Sequence, residues 1–402
     1  MKKNKCVFCN NNINTTFLNL GNQPIANFLL KKKKNVRKFP LHIQYCNNCN
    51  LVQSTTYISE KYLFDDYVYF SSYSKLFLEH AKKYVNEITK ELNLSTNSNV
   101  IEIASNDGYL LKNFVEKKIN CLGIEPAKNV AKKAKQKGIR VINDFFNYNL
   151  SKKIKFYKPD LVIANNVLAH NMNLKDFMKS LSNISDKKTV ITIEFPSMIN
   201  LIKKIQFDTI YHEHFFYFST LFLFFAFQKY NLIIYKAKKI KTHGGSIRIY
   251  LKKDIASHKI QKSVLNILKE EKKLGLNKSY IYKNFSKKVI DLKKIVDNFF
   301  SKKCNKVIYG FGAAAKSNTF LNFFSIKNDK IKYIIDETPA KINKYSPGNN
   351  IKIKNLNFLK KNKPDYVVIL AWNHKAEILE KLKFIKKWNG KFVIFIPNLK
   401  II

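Results

Sequence analysis

Four short apolar runs, Val100–Ile103, Cys121–Ile124, Leu161–Ala164 and Val190–Ile193, punctuate the middle of the chain, with helical stretches between them. Short buried runs alternating with helices predict parallel strands in a doubly wound α/β core. A second series, Val307–Tyr309, Tyr333–Ile335, Tyr366–Leu370 and Phe392–Ile396, recurs at about thirty residues, the length of a βαβ step, and predicts a second Rossmann-like sheet. Between the two series, residues 256–303 are rich in lysine with apolar positions at helical spacing, which predicts a helical connector. The chain up to about Lys90 reads as mostly irregular, and polar Asn93–Asn99 reads as a linker. The expected organisation is a small domain at 1–90, an α/β core at 91–255, the connector at 256–303 and a Rossmann-like domain at 304–402.

With 402 residues, of which 46% are hydrophobic and 14% aromatic, the chain is long enough for two or three domains with proper interiors. The formal charge of +45 is carried almost entirely by lysines spread along the chain, since Arg37, Arg140 and Arg248 are the only arginines. Enrichment of Lys together with Asn, Ile, Phe and Tyr is the signature of an AT-rich coding sequence, so no specific nucleic-acid partner is expected. The first residues lack an apolar stretch suited to a signal peptide, and Phe215–Phe227 is too short and too interrupted to span a bilayer. A cytoplasmic protein without a membrane partner is the expectation.

Cys6-Val7-Phe8-Cys9 and Cys46-Asn47-Asn48-Cys49 form two Cys-x-x-Cys knuckles. Four thiolates complete the tetrahedral sphere of a zinc ion, so a closed, structural site at Cys6, Cys9, Cys46 and Cys49 is predicted, and the small domain is a zinc-binding one. Cys121 and Cys304 read as plain buried residues.

Val100 to Tyr109 is a strand running into a tight turn and then a helix near Leu110. Such turns bring backbone N–H groups against a nucleotide-like ligand, yet only Gly108 remains, with Ala104 and Asn106 at the other two positions. Glu125, at the end of the next strand, can accept both ribose hydroxyls, and Asp144-Phe145 after the third strand can hold an adenine edge. The loss of glycines fits S-adenosylmethionine, which has no pyrophosphate, better than NAD; an empty Rossmann fold stays open. Glu102, Ala104, Asn106, Gly108, Glu125, Asp144, Phe145 and Asn165 are the candidate cofactor residues.

With these segments in hand, the sequence resembles the sugar C-methyltransferases that methylate a 4-keto deoxysugar nucleotide at carbon 3. The resemblance runs through Leu20–Asn27, Tyr69–Ser74, Glu102–Leu111, Gly123–Ala127, Ala164–His170, Gln206–His214, Thr242–Arg248 and Gly310–Lys316. It implies a zinc domain, an S-adenosylmethionine-dependent core and a Rossmann-like tail, with a nucleotide-sugar substrate. It also implies that His214 is the proton-abstracting base, with Tyr211 and Glu213 near the sugar. Removing a proton beside a ketone needs a base, a stabiliser of the enolate oxygen and alignment of two ligands. Tyr211-His212-Glu213-His214 offers these residue types: an extended segment puts Tyr211 with Glu213 on one face, whereas a helical one brings Tyr211 to His214.

His170 ends the fourth strand segment and is either a second contact to the sugar or a helix-capping histidine. Tyr73 is either part of a lid over the sugar or aromatic packing between domains. Arg248, beside Gly244-Gly245, is either a phosphate contact, joined by His243, or a member of an ion pair. The tail's Gly310, Gly312 and Lys316 open a strand-to-helix turn that can present N–H groups to an anion. With Asp336 ending the next strand, three readings stay open: a grip on the substrate nucleotide, a scaffold, or an NAD(P)-dependent oxidoreductase site. A nucleic-acid-binding protein built on the knuckles is the remaining alternative.

Overall fold

Cys6 and Cys46 open the same turn. Cys6 N–H donates to the Asn11 carbonyl and Asn10 N–H to that of Cys6, both at 2.9 Å; Cys46 N–H donates to Leu51 at 2.9 Å and Asn50 N–H to Cys46 at 2.8 Å. Each turn closes on an asparagine in the left-handed region, Asn10 at φ 62° and Asn50 at φ 64°, which asparagine tolerates better than most residues. The first knuckle precedes and the second interrupts three antiparallel strands, β1 (Thr16–Pro24), β2 (Lys38–Tyr45) and β3 (Val52–Ser54), Cys46–Cys49 joining β2 to β3. This computed structural model describes residues 5–13, 15–59, 62–63, 70–254 and 259–402. Part of the tyrosine-rich stretch 62–73 and the side chain of His243 therefore lie outside the described residues.

The core sheet contains β4 (Asn99–Ile103), β5 (Asn120–Ile124), β6 (Val141–Ile142), β7 (Leu161–Asn165) and β8 (Val190–Pro196), all parallel, as the apolar runs predict. Between this series and the connector, β9 (Phe216–Tyr217) leaves the core and pairs with β3, so the segment just before it is pinned between zinc domain and core. His212, fully buried, adds a second tie: its Nε2 lies 3.2 Å from the carbonyls of both Phe39 and Pro40. An antiparallel hairpin, β10 (Leu232–Ile240) and β11 (Ser246–Lys253), completes the order β10-β11-β8-β7-β4-β5-β6. The apolar-run reading passed over it because Lys236, Lys238 and Lys239 break the pattern of β10.

Residues 75–90 are not irregular. The helix Lys75–Glu91 starts at a Ser74 cap and buries Phe77, Ala81, Tyr84, Val85 and Ile88 along one face. That face packs on Val100, Leu110, Phe114 and Leu161 of the core, so the expected boundary at residue 90 moves ahead of this helix.

The connector is two helices, Lys262–Leu274 and Ser279–Lys302. The longer one buries Tyr282, Phe285, Val289, Leu292, Val296, Phe299 and Phe300. Tyr282 stacks on Tyr45 of the zinc domain at 4.3 Å, while Phe299 meets Tyr366 at 5.8 Å and Phe395 at 5.3 Å in the tail, so this helix braces both ends of the molecule. The tail sheet runs β14 (Lys352–Lys354), β13 (Tyr333–Ile335), β12 (Ile308–Phe311), β15 (Tyr366–Ile369), β16 (Lys391–Ile394), β17 (Lys400–Ile401), parallel except for the last strand. No helix among the described residues is long and apolar enough to cross a membrane.

Candidate active site

The four thiols converge. Cys6 Sγ and Cys49 Sγ are 3.5 Å apart, as are Cys9 Sγ and Cys46 Sγ, and all four sulfurs lie within 4.8 Å of one another. Tetrahedral zinc with bonds of about 2.3 Å places its sulfurs about 3.8 Å apart, so this all-thiolate donor set fits zinc. Four protein thiolates fill a tetrahedral sphere, the donor set of a structural site.

A cavity of ≈340 Å³ opens at the carboxyl ends of β4, β5 and β7, where ligands of open α/β sheets bind, and its volume is that of a small-molecule site. All three domains line it: Asn27 and Ser71 from the N-terminal part, the core loops, and Lys316, Lys341, Asn373 and His374 from the tail.

One side is built on the loop after β4. Ala104 at φ 56°, Asn106 at φ 50° and Gly108 at φ 75° turn the chain sharply. At Gly108 a Cβ would fall 2.0 Å from Ile139 Cδ1, so any other residue there would add displacement of that side chain to the strain of a positive φ. Asn106 N–H and Ala127 N–H each donate to one oxygen of Glu125 at 2.9 Å, locking its carboxylate at the cavity wall. Burial pushes this carboxyl up to about 7. Asn106 Oδ1 accepts from Ser71 N–H at 2.9 Å and so ties the serine-tyrosine segment to the loop. Ala104, Asn106, Glu125, Phe145 and Asn165 line the cavity, whereas Glu102, Gly108 and Asp144 do not. Glu102 is buried behind the loop, held well above the carboxylate range first by burial and then by Glu125 and Asp107. Asp144 instead accepts from Phe145 N–H at 2.7 Å. Two neighbours at the end of β7 offer buried polar atoms without a hydrogen-bond partner among the described residues, Asn165 Oδ1 and Asn166 Nδ2; the sequence reading missed Asn166. Such atoms are costly unless a ligand meets them, so this wall fits a polar ligand.

The opposite side carries the Tyr211–His214 cluster. His212 and Glu213 form a turn, with His214 N–H donating to the Tyr211 carbonyl at 2.9 Å, so Tyr211 and His214 meet as they would in a helix. His214 Nδ1 lies 2.9 Å from the Thr209 carbonyl, which requires the proton on Nδ1, and Nε2 then accepts from the Tyr211 hydroxyl at 3.0 Å. His170 uses the same tautomer: its Nδ1 donates to the Glu213 carbonyl at 2.6 Å, and its ring meets His214 edge-on at 4.7 Å. Burial lowers His170 to about 4, so it stays neutral and presents an acceptor. Glu213 does not line the cavity. Its Oε1 accepts from both N–H groups of Asn27, at 3.3 and 3.1 Å, and burial pushes it up to about 7. Its place is behind Asn27, which does line the site and which sequence reasoning missed.

From the tail, Lys316 reaches the cavity at the start of the helix Ala315–Phe323, with Nζ 3.0 Å from Asn373 Oδ1 and 4.6 Å from the centre of the Trp372 ring. Burial lowers its pKa. Gly310 lies within β12 and Gly312, at φ 97°, packs on Ala371; neither lines the cavity. Asp336 accepts from Ala313 and Thr338 N–H, at 2.7 and 2.9 Å, so its carboxylate ties the loop after β12 to its own.

Two readings need correction. Arg248 is no phosphate contact: it is 1% exposed, its Nη2 donates to Glu194 Oε2 at 2.6 Å, and its guanidinium lies 4.0 Å over Tyr84. Its place on β11, between β10 and β8, directs it into the sheet's flank rather than the cavity. Tyr73 is 52% exposed and packs on Phe70, while Ser71 lines the site.

Comparison with known proteins gives three family models in chain order: "Putative zinc binding domain" over residues 6–64, "Methyltransferase domain" over 77–237 and "C-methyltransferase C-terminal domain" over 241–397. C-methyltransferase NovU of Streptomyces niveus is 27% identical over 407 residues, covering 99% of this chain and 96% of the relative. Solved structures similar to part of the chain include an S-adenosylmethionine-dependent methyltransferase from Clostridium acetobutylicum (14% identity, 44% of this chain and 91% of that one, TM-score 0.35). Magnesium protoporphyrin IX methyltransferase from Synechocystis, with bound S-adenosylmethionine, matches at 14% identity over 47% of this chain and 86% of that one, TM-score 0.34.

Proposed function

We propose, for a chain that belongs to the S-adenosylmethionine-dependent C-methyltransferases with a zinc-binding domain, that the acceptor is a nucleotide-linked 4-keto deoxysugar methylated at carbon 3. The observation that carries this reading is the Tyr211–His214 pair: a histidine with Nδ1 held by the Thr209 carbonyl and Nε2 directed at a tyrosine hydroxyl in the cavity.

Deprotonation of the carbon beside a ketone leaves its electron pair in an enolate. His214 Nε2 is the destination of that proton, with the Tyr211 hydroxyl in contact to relay it. Asn166 Nδ2, a buried donor at the cavity wall, is suited to the enolate oxygen. S-adenosylmethionine, when bound, supplies an electrophilic methyl whose bond to sulfur breaks, the electron pair staying on sulfur, as the new carbon–carbon bond forms. Glu125 and Asn165 hold the cofactor side, Glu125 through the ribose hydroxyls. Lys316 and Lys341 line the same cavity and supply positive charge for the substrate's phosphates.

The test is mass-spectrometric product analysis with methyl-labelled S-adenosylmethionine and a panel of keto sugar nucleotides. One acceptor gains a single labelled methyl on carbon, and His214→Gln abolishes the gain while cofactor affinity by titration calorimetry stays unchanged. Label transfer to oxygen or nitrogen, or full turnover by the variant, would refute the reading.

A further inference from the structure

The segment that supports His214 is held from its far side by the tail domain. Trp372 Nε1 donates to Asp208 Oδ2 at 2.6 Å, a buried bond between residues 164 apart in sequence. Thr319 Oγ1 donates to the Ile210 carbonyl at 3.1 Å, and the Phe207 ring packs on Phe323 at 5.2 Å and Phe324 at 5.4 Å. Thr209, between these anchored neighbours, turns its carbonyl to His214 Nδ1. The Gly244-Gly245 turn closes on the same joint: Gln206 Nε2 donates to the Gly244 carbonyl at 3.0 Å, and a Cβ on Gly244 would fall 2.7 Å from Trp372 Cη2. Glycine at 244 is thus what lets the indole lie against the segment.

We propose that Asp208 and Trp372 are positioning residues for the base, their hydrogen bond setting where the Thr209 carbonyl stands and hence which nitrogen of His214 carries the proton. The inference rests on His214 being the base. An imidazole can accept at Nε2 only while Nδ1 keeps its proton, and the acceptor that keeps it there is a backbone carbonyl whose place is fixed from another domain. A shift of that segment by an ångström breaks the Nδ1 bond, lets the ring turn and removes Nε2 from Tyr211, which is costly to rate without touching either ligand. Simple domain adhesion predicts something different: loss of stability and of ligand binding together, with the histidine unchanged when the protein is folded.

The test uses the full zinc-loaded chain carrying Trp372→Phe, which removes the donor and keeps an aromatic ring. Histidine labelled with nitrogen-15 reports the Nδ1–H of His214 directly, its signal identified by disappearance in His214→Gln. The expected result is a displaced or exchange-broadened Nδ1–H signal, with kcat lowered by about ten- to a hundredfold while the acceptor KM and cofactor affinity change by less than about twofold. An unmoved signal with wild-type kcat overturns the proposal, and so does a joint loss of kcat, KM and thermal stability with that signal unmoved. Should Trp372→Phe fail to fold, Asp208→Leu, which removes the acceptor and keeps a side chain of similar size, decides by the same signal. If the wild type methylates no keto sugar, the proposed function fails, while the nitrogen-15 readout still judges the joint.

Discussion

Replacing Arg248 by leucine leaves the Glu194 carboxylate buried without its main counter-ion. Both side chains are essentially inaccessible, at 1% and 0%, and among the described residues that carboxylate also meets His80, whose Nε2 lies 3.1 Å from Oε2, and Thr242 Oγ1, 3.0 Å from Oε1. Burial alone would raise Glu194, but His80 and Arg248 outweigh it and hold it at about 2, against an ordinary 4.5. A depression of that size at 1.36 kcal/mol per pH unit is worth about 3 kcal/mol, in line with the roughly 3–5 kcal/mol lost when one partner of a buried pair is removed. Because the folded pKa lies below the unfolded one, this stabilisation is complete above about pH 4.5 and is lost as pH falls toward 2.

Urea denaturation at pH 7 should therefore show Arg248→Leu less stable by about 3–5 kcal/mol, with the gap to wild type closing below about pH 4.5. Adding Glu194→Leu should recover most of the loss, since a well-packed apolar pair replaces a buried ionic one at little cost. A loss under about 1 kcal/mol, together with a tenfold rise in the acceptor KM, would refute this account and return Arg248 to the substrate.

Three further outcomes are expected. Metal analysis of the purified protein should find one zinc per chain, and Cys46→Ser should lose that zinc and lower the melting temperature, because zinc binding contributes directly to folding; unchanged zinc content would exclude the four-thiolate site. Glu125→Ala should weaken S-adenosylmethionine binding in calorimetry by about ten- to a hundredfold, as charge-assisted hydrogen bonds to the ribose are lost; equal affinity would place the ribose elsewhere. Glu213 has its folded pKa raised to about 7 from 4.5, so its stabilisation is present below about pH 4.5 and is lost as pH rises through 7. Glu213→Gln should flatten the fall in urea midpoint over that range, and a wild-type slope in the variant would show that another group is responsible.

What the sequence revealed, and what it hid, divides by range of interaction. The apolar runs at Val100, Cys121, Leu161 and Val190 located four core strands within a residue or so at their starts, because a strand buried on both faces must be apolar throughout. The cysteine knuckles were legible for a similar reason, since each pair is held together by its own turn. Arg248 stayed open between a phosphate contact and an ion pair because the residue that decides it, Glu194, lies 54 positions away on the neighbouring strand. Scarcity of arginine marked the position as special without saying whether its task faced inward or outward. Glu213 follows the same logic: a carboxylate between two histidines looks catalytic in sequence, yet the turn that brings Tyr211 onto His214 sends its side chain to Asn27, 186 residues earlier. The site itself is an assembly of such distant pairs. The wall proposed for the cofactor gathers short loops at the ends of neighbouring strands, and Ala104, Asn106, Glu125, Phe145 and Asn165 of the sequence candidates line the cavity there, whereas the support of His214 depends on Thr209, Asp208 and Trp372, and no periodicity or motif ties a tail tryptophan to a core histidine. The same distinction bears on charge: of the many lysines behind the net +45, Lys316 and Lys341 line the cavity, so it is where the fold delivers a lysine, rather than how many there are, that sets the charge of this site.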